Sequence, residues 1–396
     1  MKRNILVITS IIIVLFAITA SADPHIAPSP QDYVLNKDLE LSNGRVVAAG
    51  TRWYNTPDIV RLQKELLEGT YQGDKEWAEK VLFGYNLMTH TYNTIGEGRT
   101  DGRTVLAKGR VMSCSSCHTR GGTVPYAWPF FRTLTFFGLR EAGDEGVLWG
   151  NLGYKRDTRT RARDCALNCG GMVHIPEESY EMEALLAWLT VVRDGIYEGE
   201  GILVPEFKTR KDVSKITGAR IPLMKGVLDM QANVDKGKKL YNSQCASCHQ
   251  ADGSGVWGSQ DGYHYPPLAG EDAFSNAGGP VMVPVGGSFI YRYMPFFGAN
   301  MSQQAALDIM AYISTLPRGS RWWQNYYFKH NPCGRPAFLP LHIGVVPEGF
   351  PFSSEQAQFG PWREIAQWLA SDECKSRNPQ TAPELGKDFQ VEIGDW

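Results

Sequence analysis

Residues 114–118 read CSSCH and residues 245–249 read CASCH, two copies of one five-residue pattern. C-x-x-C-H is the haem c attachment signal. Its two thiols add to the haem vinyl groups, and the adjacent histidine binds the iron. The pattern therefore predicts two covalently bound haem c groups, attached through Cys114, Cys117, Cys245 and Cys248, with the irons bound by His118 and His249.

Zinc sites and thioredoxin-like redox sites also use C-x-x-C. A zinc site needs a second cysteine pair or a spaced histidine pair to complete its tetrahedron. A thioredoxin-like pair lies in a βαβ pattern and does not require the following histidine. The repeated five-residue pattern favours haem c over both alternatives.

The first residues have the pattern of a secretory signal peptide. Residues 2–3 are positively charged, residues 5–19 are mostly apolar, and residues 20–22 read ASA, an A-x-A cleavage site. An uncleaved anchor is the alternative, because a membrane span needs about 20 apolar residues. The small-residue site favours removal of residues 1–22 and a periplasmic mature protein, in agreement with haem c attachment outside the cytoplasm.

The net charge and the cysteine content indicate which partners and cross-links to expect. The formal net charge of the 396 residues is −2, which gives no reason to expect nucleic acid as a partner. Four of the eight cysteines belong to the haem motifs. Of the others, Cys333 and Cys374 are candidates for a disulfide in an oxidising compartment.

Similar elements surround both motifs and predict a mainly α fold. A glycine-containing helix precedes each motif, and an amphipathic helix follows it, carrying Trp188 or Tyr312 to pack against Gly84 or Gly237. This is the arrangement of two cytochrome c domains in tandem with N- and C-terminal extensions. The predicted boundaries are a signal peptide at 1–22, an N-terminal extension at 23–75, cytochrome c domain 1 at 76–204, a linker at 205–232, cytochrome c domain 2 at 233–318 and a C-terminal extension at 319–396.

Two details refine this prediction. Gly84 lies 30 residues before the first motif, whereas Gly237 lies only 8 before the second, so the first domain carries an inserted loop. Residues 58–67 have a helical pattern within the N-terminal extension. The aromatic run at 322–328 is expected to pack over the haem domains.

The second axial ligand separates an electron carrier from a catalyst. In the second domain Met294 lies 45 residues after His249, precedes a proline and comes before the closing helix. Most methionines fill cores, but this loop position favours an iron ligand. Met/His ligation raises the reduction potential and suits a haem through which electrons leave.

In the first domain, spacing leaves four candidate ligands open: Cys165, Cys169, Met172 and His174. A basic run precedes Cys165 and includes Arg159, Arg161 and Arg163. Guanidinium groups bind oxyanions bidentately, so the run is expected to attract an anionic substrate. Neighbouring positive charge also lowers a thiol pKa and favours the thiolate that binds iron.

These residues resemble the dihaem thiosulfate dehydrogenases, some of which run as tetrathionate reductases. The resemblance covers most of the chain from about residue 84 to residue 365. In the first half it rests on GTVP at 122–125 after the motif, on Arg161 four positions before Cys165, and on SYEM at 179–182. In the second half it rests on PPL at 266–268, Met-Pro at 294–295, AYI at 311–313 and Pro-Arg at 317–318.

The resemblance implies which haem does the chemistry. The active-site haem would have His118 and Cys165 as ligands, and electrons would leave through a haem held by His249 and Met294. Two thiosulfate anions would couple to tetrathionate, or the reverse, with Cys165 as iron ligand and sulfur acceptor. A soluble c-type cytochrome or similar protein would take the electrons.

One segment departs from the family. Its members usually carry Arg-Ser-Met-Asn-Gly from three residues after the ligand cysteine, whereas residues 168–172 here read NCGGM. The alternative function is a dihaem electron-transfer protein without its own substrate. The basic run and Cys165 favour the enzyme, and the altered segment favours the carrier. Peroxidase chemistry needs an open haem site, which no residue here identifies.

Overall fold

A computed structural model gives the architecture of the protein. It describes residues 38–40, 44, 46–51, 58–124, 127–131, 147–148, 155–156, 158–169, 174–197, 223–258, 262–276, 278–296, 298–319, 349–369 and 371–373. The fold is mainly α, as predicted. The helices are α1 (Ile59–Glu68), α2 (Lys75–Thr89), α3 (Thr91–Ile95), α4 (Thr119–Gly122), α5 (Thr158–Cys169), α6 (Tyr180–Tyr197), α7 (Val234–Gln244), α8 (Ala246–His249), α9 (Val283–Tyr293), α10 (Gln303–Thr315), α11 (Ser354–Phe359) and α12 (Arg363–Leu369).

Short elements complete the described residues. Single turns of 3-10 helix lie at Cys114–Ser116, Val227–Asp229 and Gly279–Val281. The strands form three antiparallel pairs: β1 (Leu39–Glu40) with β2 (Val46–Val47), β3 (Val147–Leu148) with β4 (Lys155–Arg156), and β5 (Val256–Gly258) with β6 (Gly262–Tyr265). No helix among the described residues is long and apolar enough to cross a membrane.

The first unit is built on the crossing of α2 and α6 beside the first CxxCH motif. Asp74 begins α2 by accepting a hydrogen bond from the Trp77 N–H at 3.1 Å. At the crossing, a Cβ on Gly84 would collide with the Ala184 carbonyl and the Trp188 Cβ. The predicted packing of Trp188 against Gly84 is therefore confirmed, and only glycine allows this approach.

The second unit repeats the arrangement with α7 and α10 beside the second motif. Asn233 begins α7 by accepting from the Lys236 N–H at 2.8 Å. A Cβ on Gly237 would collide with the Asp308 carbonyl in α10. Tyr312 lies one turn further along α10 and packs on Tyr241, with ring centroids 5.2 Å apart. Each unit has its own core cluster of buried side chains.

The loop inserted between α2 and the first motif begins with α3 and is fixed by a buried ion pair. The Arg99 side chain is 2% exposed and pairs with Glu181 of α6 at 2.7 Å and with Asp101 at 2.5 Å. The N–H groups of Leu106 and Ala107 donate to the Ile95 carbonyl at 2.8 and 3.0 Å. The insertion is therefore an ordered part of the first unit.

The flanking segments also belong to the cores. The helix expected at 58–67 is α1, at Ile59–Glu68, and its Ile59 and Leu62 are buried in the first core. The predicted linker, 205–232, is described from Leu223 onward, and that part packs into the second core. Residues 349–369 of the predicted C-terminal extension pack there too.

Several sequence-based predictions fall outside the described residues. They are the signal peptide at 1–22, the aromatic run at 322–328 and the proposed pairing of Cys333 with Cys374.

Candidate haem sites

The second motif follows α7 directly, and its histidine is held by one hydrogen bond. His249 Nδ1 lies 2.8 Å from the Pro266 carbonyl oxygen, so this nitrogen donates. The side chain is buried, and burial lowers the pKa of His249 while the bond to Pro266 opposes the shift. A neutral imidazole with Nδ1–H engaged keeps its lone pair on Nε2, the form in which histidine binds a metal.

The first motif has the same arrangement. His118 Nδ1 lies 2.5 Å from the Trp128 carbonyl oxygen, and the His118 ring stacks on Phe130 with centroids 4.1 Å apart. The motif backbone is tied to α3, because the Cys114 N–H donates to the Thr91 hydroxyl at 3.1 Å. Both predicted proximal histidines thus have their rings oriented by a backbone carbonyl.

The motif thiols are partly buried beside these histidines. Burial raises the pKa of Cys117 to about 12 and that of Cys245 to about 11. Burial also raises the pKa of Cys114. Before a haem is attached, these groups are therefore thiols rather than thiolates at neutral pH.

A buried arginine gives an independent test of whether haem fits the second unit. Arg318 bridges to Gly270, and its guanidinium lies over the Phe274 ring at 4.5 Å. Its Nη2 donates to the Ile313 carbonyl, but its buried Nε and Nη1 have no partner in the described part of the chain. Burial lowers the pKa of Arg318 to about 10. An anionic group would satisfy these donors, and the propionates of haem c have the required charge.

Cys165 lies on α5, in the first unit. Two alanines on the same helix, Ala162 and Ala166, pack against the first core cluster together with Cys114. The helix that carries Cys165 therefore packs on the same core as the first motif, and Cys165 lies 47 residues from His118 in sequence.

Two of the three predicted anion-binding arginines form ion pairs with glutamates of the first unit. Arg159 pairs with Glu183 at 2.5 Å and donates to the Glu177 carbonyl at 3.0 Å. Arg163 pairs with the Glu177 carboxylate at 2.5 Å. Both therefore already have acidic partners at the start of α6. The Arg161 side chain lies outside the described atoms, although its backbone is in α5.

The other candidate ligands are distributed as follows. Met294 caps the end of α9, donates its N–H to the Ile290 carbonyl at 2.9 Å and packs half-buried against the second core. His174 is exposed. Met172 and the Cys169 side chain lie outside the description.

Sequence reasoning missed the two carbonyls that orient the histidines. Pro266 comes 17 residues after His249, whereas Trp128 comes only 10 after His118, so no shared spacing marks them. The role of Arg318 was also missed, although Pro-Arg at 317–318 was among the residues that carry the resemblance. A backbone carbonyl has no side-chain signature, and only the folded chain shows which one is used.

Comparison with known proteins gives one family match and several relatives. The family described as cytochrome c oxidase, cbb3-type, subunit III matches residues 232–313. A thiosulfate dehydrogenase from Psychrobacter arcticus is 26% identical over 250 residues, 62% of this chain and 65% of that protein. One from Allochromatium vinosum is 32% identical over 105 residues, 26% of this chain and 38% of that protein.

A solved thiosulfate dehydrogenase from Marichromatium purpuratum, in its as-isolated form, overlaps 64% of this chain and 48% of its own, with 21% identity and a TM-score of 0.49. That overlap is too small to define the fold. The chain spans less than two thirds of the length of each of these relatives.

The CxxCH motif within 232–313, with its carbonyl-bound histidine, defines a c-type cytochrome domain. Over about 62% of its length the chain is similar to proteins named thiosulfate dehydrogenase.

Proposed function

We propose that this protein is a periplasmic dihaem cytochrome c, with two cytochrome c domains in tandem, that oxidises thiosulfate to tetrathionate or catalyses the reverse reaction. The chemistry is assigned to the first site, where His118 and Cys165 would hold the haem iron. Electrons leave through a site with His249 and Met294 as ligands, and a soluble c-type cytochrome or similar acceptor receives them.

The observation that carries the proposal is the position of Cys165. Cys165 lies on α5 between Ala162 and Ala166, and these two alanines pack on the same core as Cys114 of the first motif. A thiolate ligand pushes electron density onto iron. The relatives named thiosulfate dehydrogenase support a sulfur oxyanion as the substrate.

The reaction balances with two electrons. Two thiosulfate anions join through one new S–S bond to give tetrathionate, and two electrons are released. Haem c supplies a one-electron couple at each motif when bound. The protein's residues orient the ligands, and the basic run on α5 attracts the anions.

The two sites are suited to different tasks. His249 is buried, and Met294 is half-buried against the second core. Met/His ligation raises the reduction potential, whereas thiolate ligation lowers it. Electrons released at the Cys165 site therefore have a downhill path toward the Met294 site.

One observation favours the alternative, an electron carrier without its own substrate. Arg159 and Arg163 already pair with Glu183 and Glu177. Paired guanidinium groups attract an anion less strongly than unpaired ones. For the enzymatic function, substrate binding must therefore involve Arg161, or the anion must displace these carboxylates.

A steady-state assay separates the two functions. Purified holoprotein is mixed with thiosulfate and an artificial one-electron acceptor, and separately with tetrathionate and a reduced dye. We expect turnover in at least one direction, and its loss in Cys165→Ala. Cys169→Ala is the matched control on the same helix and is expected to keep activity. Absence of turnover in both directions would leave the carrier function.

The periplasmic location rests on the pattern of residues 1–22 and is tested separately. The mass of the protein recovered from the periplasm should correspond to a chain that begins at Asp23 and carries two haems. A mass that includes residues 1–22 would contradict cleavage.

A further inference from the structure

Trp128 has two contacts that point in different directions. Its carbonyl oxygen accepts the His118 Nδ1–H hydrogen bond at 2.5 Å, within the first unit. Its indole ring stacks on Phe289 of α9, in the second unit, with centroids 4.6 Å apart and planes only 3° from parallel. One residue thus connects the proximal histidine of the first motif with a helix of the second unit.

The backbone conformation of Trp128 links its hydrogen bond with His118 to its stacking on Phe289. Its φ is +48°, in the left-handed region that residues other than glycine rarely adopt. Such a conformation persists only where its surroundings hold it. In this conformation the carbonyl faces His118, and the side chain of the same residue is stacked on Phe289.

The far end of the stack leads to the second site. The Phe289 ring lies 5.4 Å from that of Tyr293, centroid to centroid, and Tyr293 directly precedes Met294. The packing between the units therefore adjoins His118 at one end and the Met294 segment at the other.

We propose that Trp128 is a positioning residue through which packing between the two units sets the hydrogen bond of His118, and with it the reduction potential of the first site. The proposal rests on the proposed function, in that it requires a haem at the first motif. Trp128 and Phe289 would thus couple the packing between the units to the first site, which neither the CxxCH motif nor the distal ligands do.

The direction of the effect follows from ligand chemistry. A hydrogen bond from the far ring nitrogen to a carbonyl makes a histidine ligand more basic. A more basic ligand favours oxidised iron and lowers the potential. If the ring of Trp128 is removed, its carbonyl is no longer held in place, and the potential of the first site rises. The hydrogen bond of His249 should not change, because its acceptor is Pro266 within its own unit.

A second contact between the units provides a matched control. Trp257, in β5, meets Tyr92 of α3 edge to face, with ring centroids 4.8 Å apart. It joins the same two units but does not involve the residue that holds His118. Replacement of Trp257 therefore loosens the interface without acting on the Trp128 carbonyl.

The test is a redox titration of purified holoprotein, followed by absorption and by the EPR signals of the two low-spin sites. We expect Trp128→Leu and Phe289→Leu each to shift the first-site potential upward and alter its EPR signal. Trp128→Phe, which keeps an aromatic ring, should restore values close to wild type. Trp257→Leu should leave the first site unchanged.

Three results would overturn the proposal. They are an unchanged first-site potential in both leucine variants, an equal shift in Trp257→Leu, and a failure of Trp128→Phe to restore the wild-type potential. If Trp128→Leu does not assemble, Phe289→Leu decides alone, because it keeps Trp128 itself.

The titration uses no thiosulfate, so an absence of turnover would count against the proposed substrate and not against this role of Trp128. Haem content is measured first by the pyridine haemochrome method. One haem per chain would refute the proposed dihaem function, whereas a shift confined to the Trp128 and Phe289 variants tests the positioning role.

Discussion

Replacement of Gly237 by alanine tests how closely the helices of the second unit must approach. In a helix interior, alanine is favoured over glycine by about 0.5–1 kcal/mol. Here the new Cβ would collide with the Asp308 carbonyl, which is backbone and cannot rotate away. Overpacking of a closed core costs about 1–3 kcal/mol. Displacement of Asp308 would also disturb its side chain, which accepts the Asn233 N–H at 2.8 Å.

The steric cost therefore exceeds the gain in helix propensity. We expect Gly237→Ala to lower the free energy of unfolding by about 2 kcal/mol, near the upper end of the overpacking range after the propensity gain is subtracted. The measurement is guanidinium unfolding of the holoprotein, followed by far-UV circular dichroism and by haem absorption.

A second glycine gives the control. Gly298 has open space around its Cβ position and no left-handed φ, so Gly298→Ala should change stability by less than about 0.5 kcal/mol. If Gly237→Ala is as stable as wild type, the close crossing of α7 and α10 is wrong. If both variants lose the same stability, the effect does not come from the crossing.

Three further predictions address other features. Arg99→Leu leaves Glu181 buried without its partner, so unfolding free energy should fall by about 3–5 kcal/mol, and adding Glu181→Leu should recover part of it in a double-mutant cycle. Burial is the main cause of the raised pKa of Tyr263, so the folded state favours the neutral phenol. Below the ordinary pKa of 10.0 this contribution to stability is fully present. It is lost as the pH rises from there toward the pKa of the folded state. Tyr263→Phe should therefore lose less stability than wild type in alkaline unfolding titrations, and an identical pH profile would contradict this. Arg318→Gln removes a buried positive charge, so the potential of the second site should fall in a redox titration while that of the first stays constant.

The helix pairs could be predicted because their signals are local. A glycine before each motif and an aromatic residue on the following amphipathic helix mark the crossing, and the structure confirms Trp188 against Gly84. α1 also lies within one residue of its predicted bounds. Periodicity shows which face of a helix is buried, and tight packing at that face requires the small residue.

The distal side of the first site could not be predicted in the same way. Four residues fitted the spacing, and only the resemblance selected Cys165. The position of its helix on the first core depends on how α5 packs, which is a long-range property. The acidic partners of Arg159 and Arg163 lie 14 or more residues further along the chain, so the basic run alone did not reveal them.

The segments on either side of the second unit determine whether it can exist apart from the rest of the chain. The Trp362 N–H donates to the Leu228 carbonyl at 2.7 Å, and the Ala232 N–H donates to the Phe359 carbonyl at 2.8 Å. Arg363 also pairs with Asp229.

These contacts join a stretch before the motif to one more than a hundred residues later, and both stretches fill the same core. A fragment limited to residues 233–318 would lack both and expose apolar surface to water. The smallest separable piece therefore runs from about residue 223 to residue 369. A gene fusion or domain exchange that cuts at the edges of the haem motif's own helices would divide one core between two proteins.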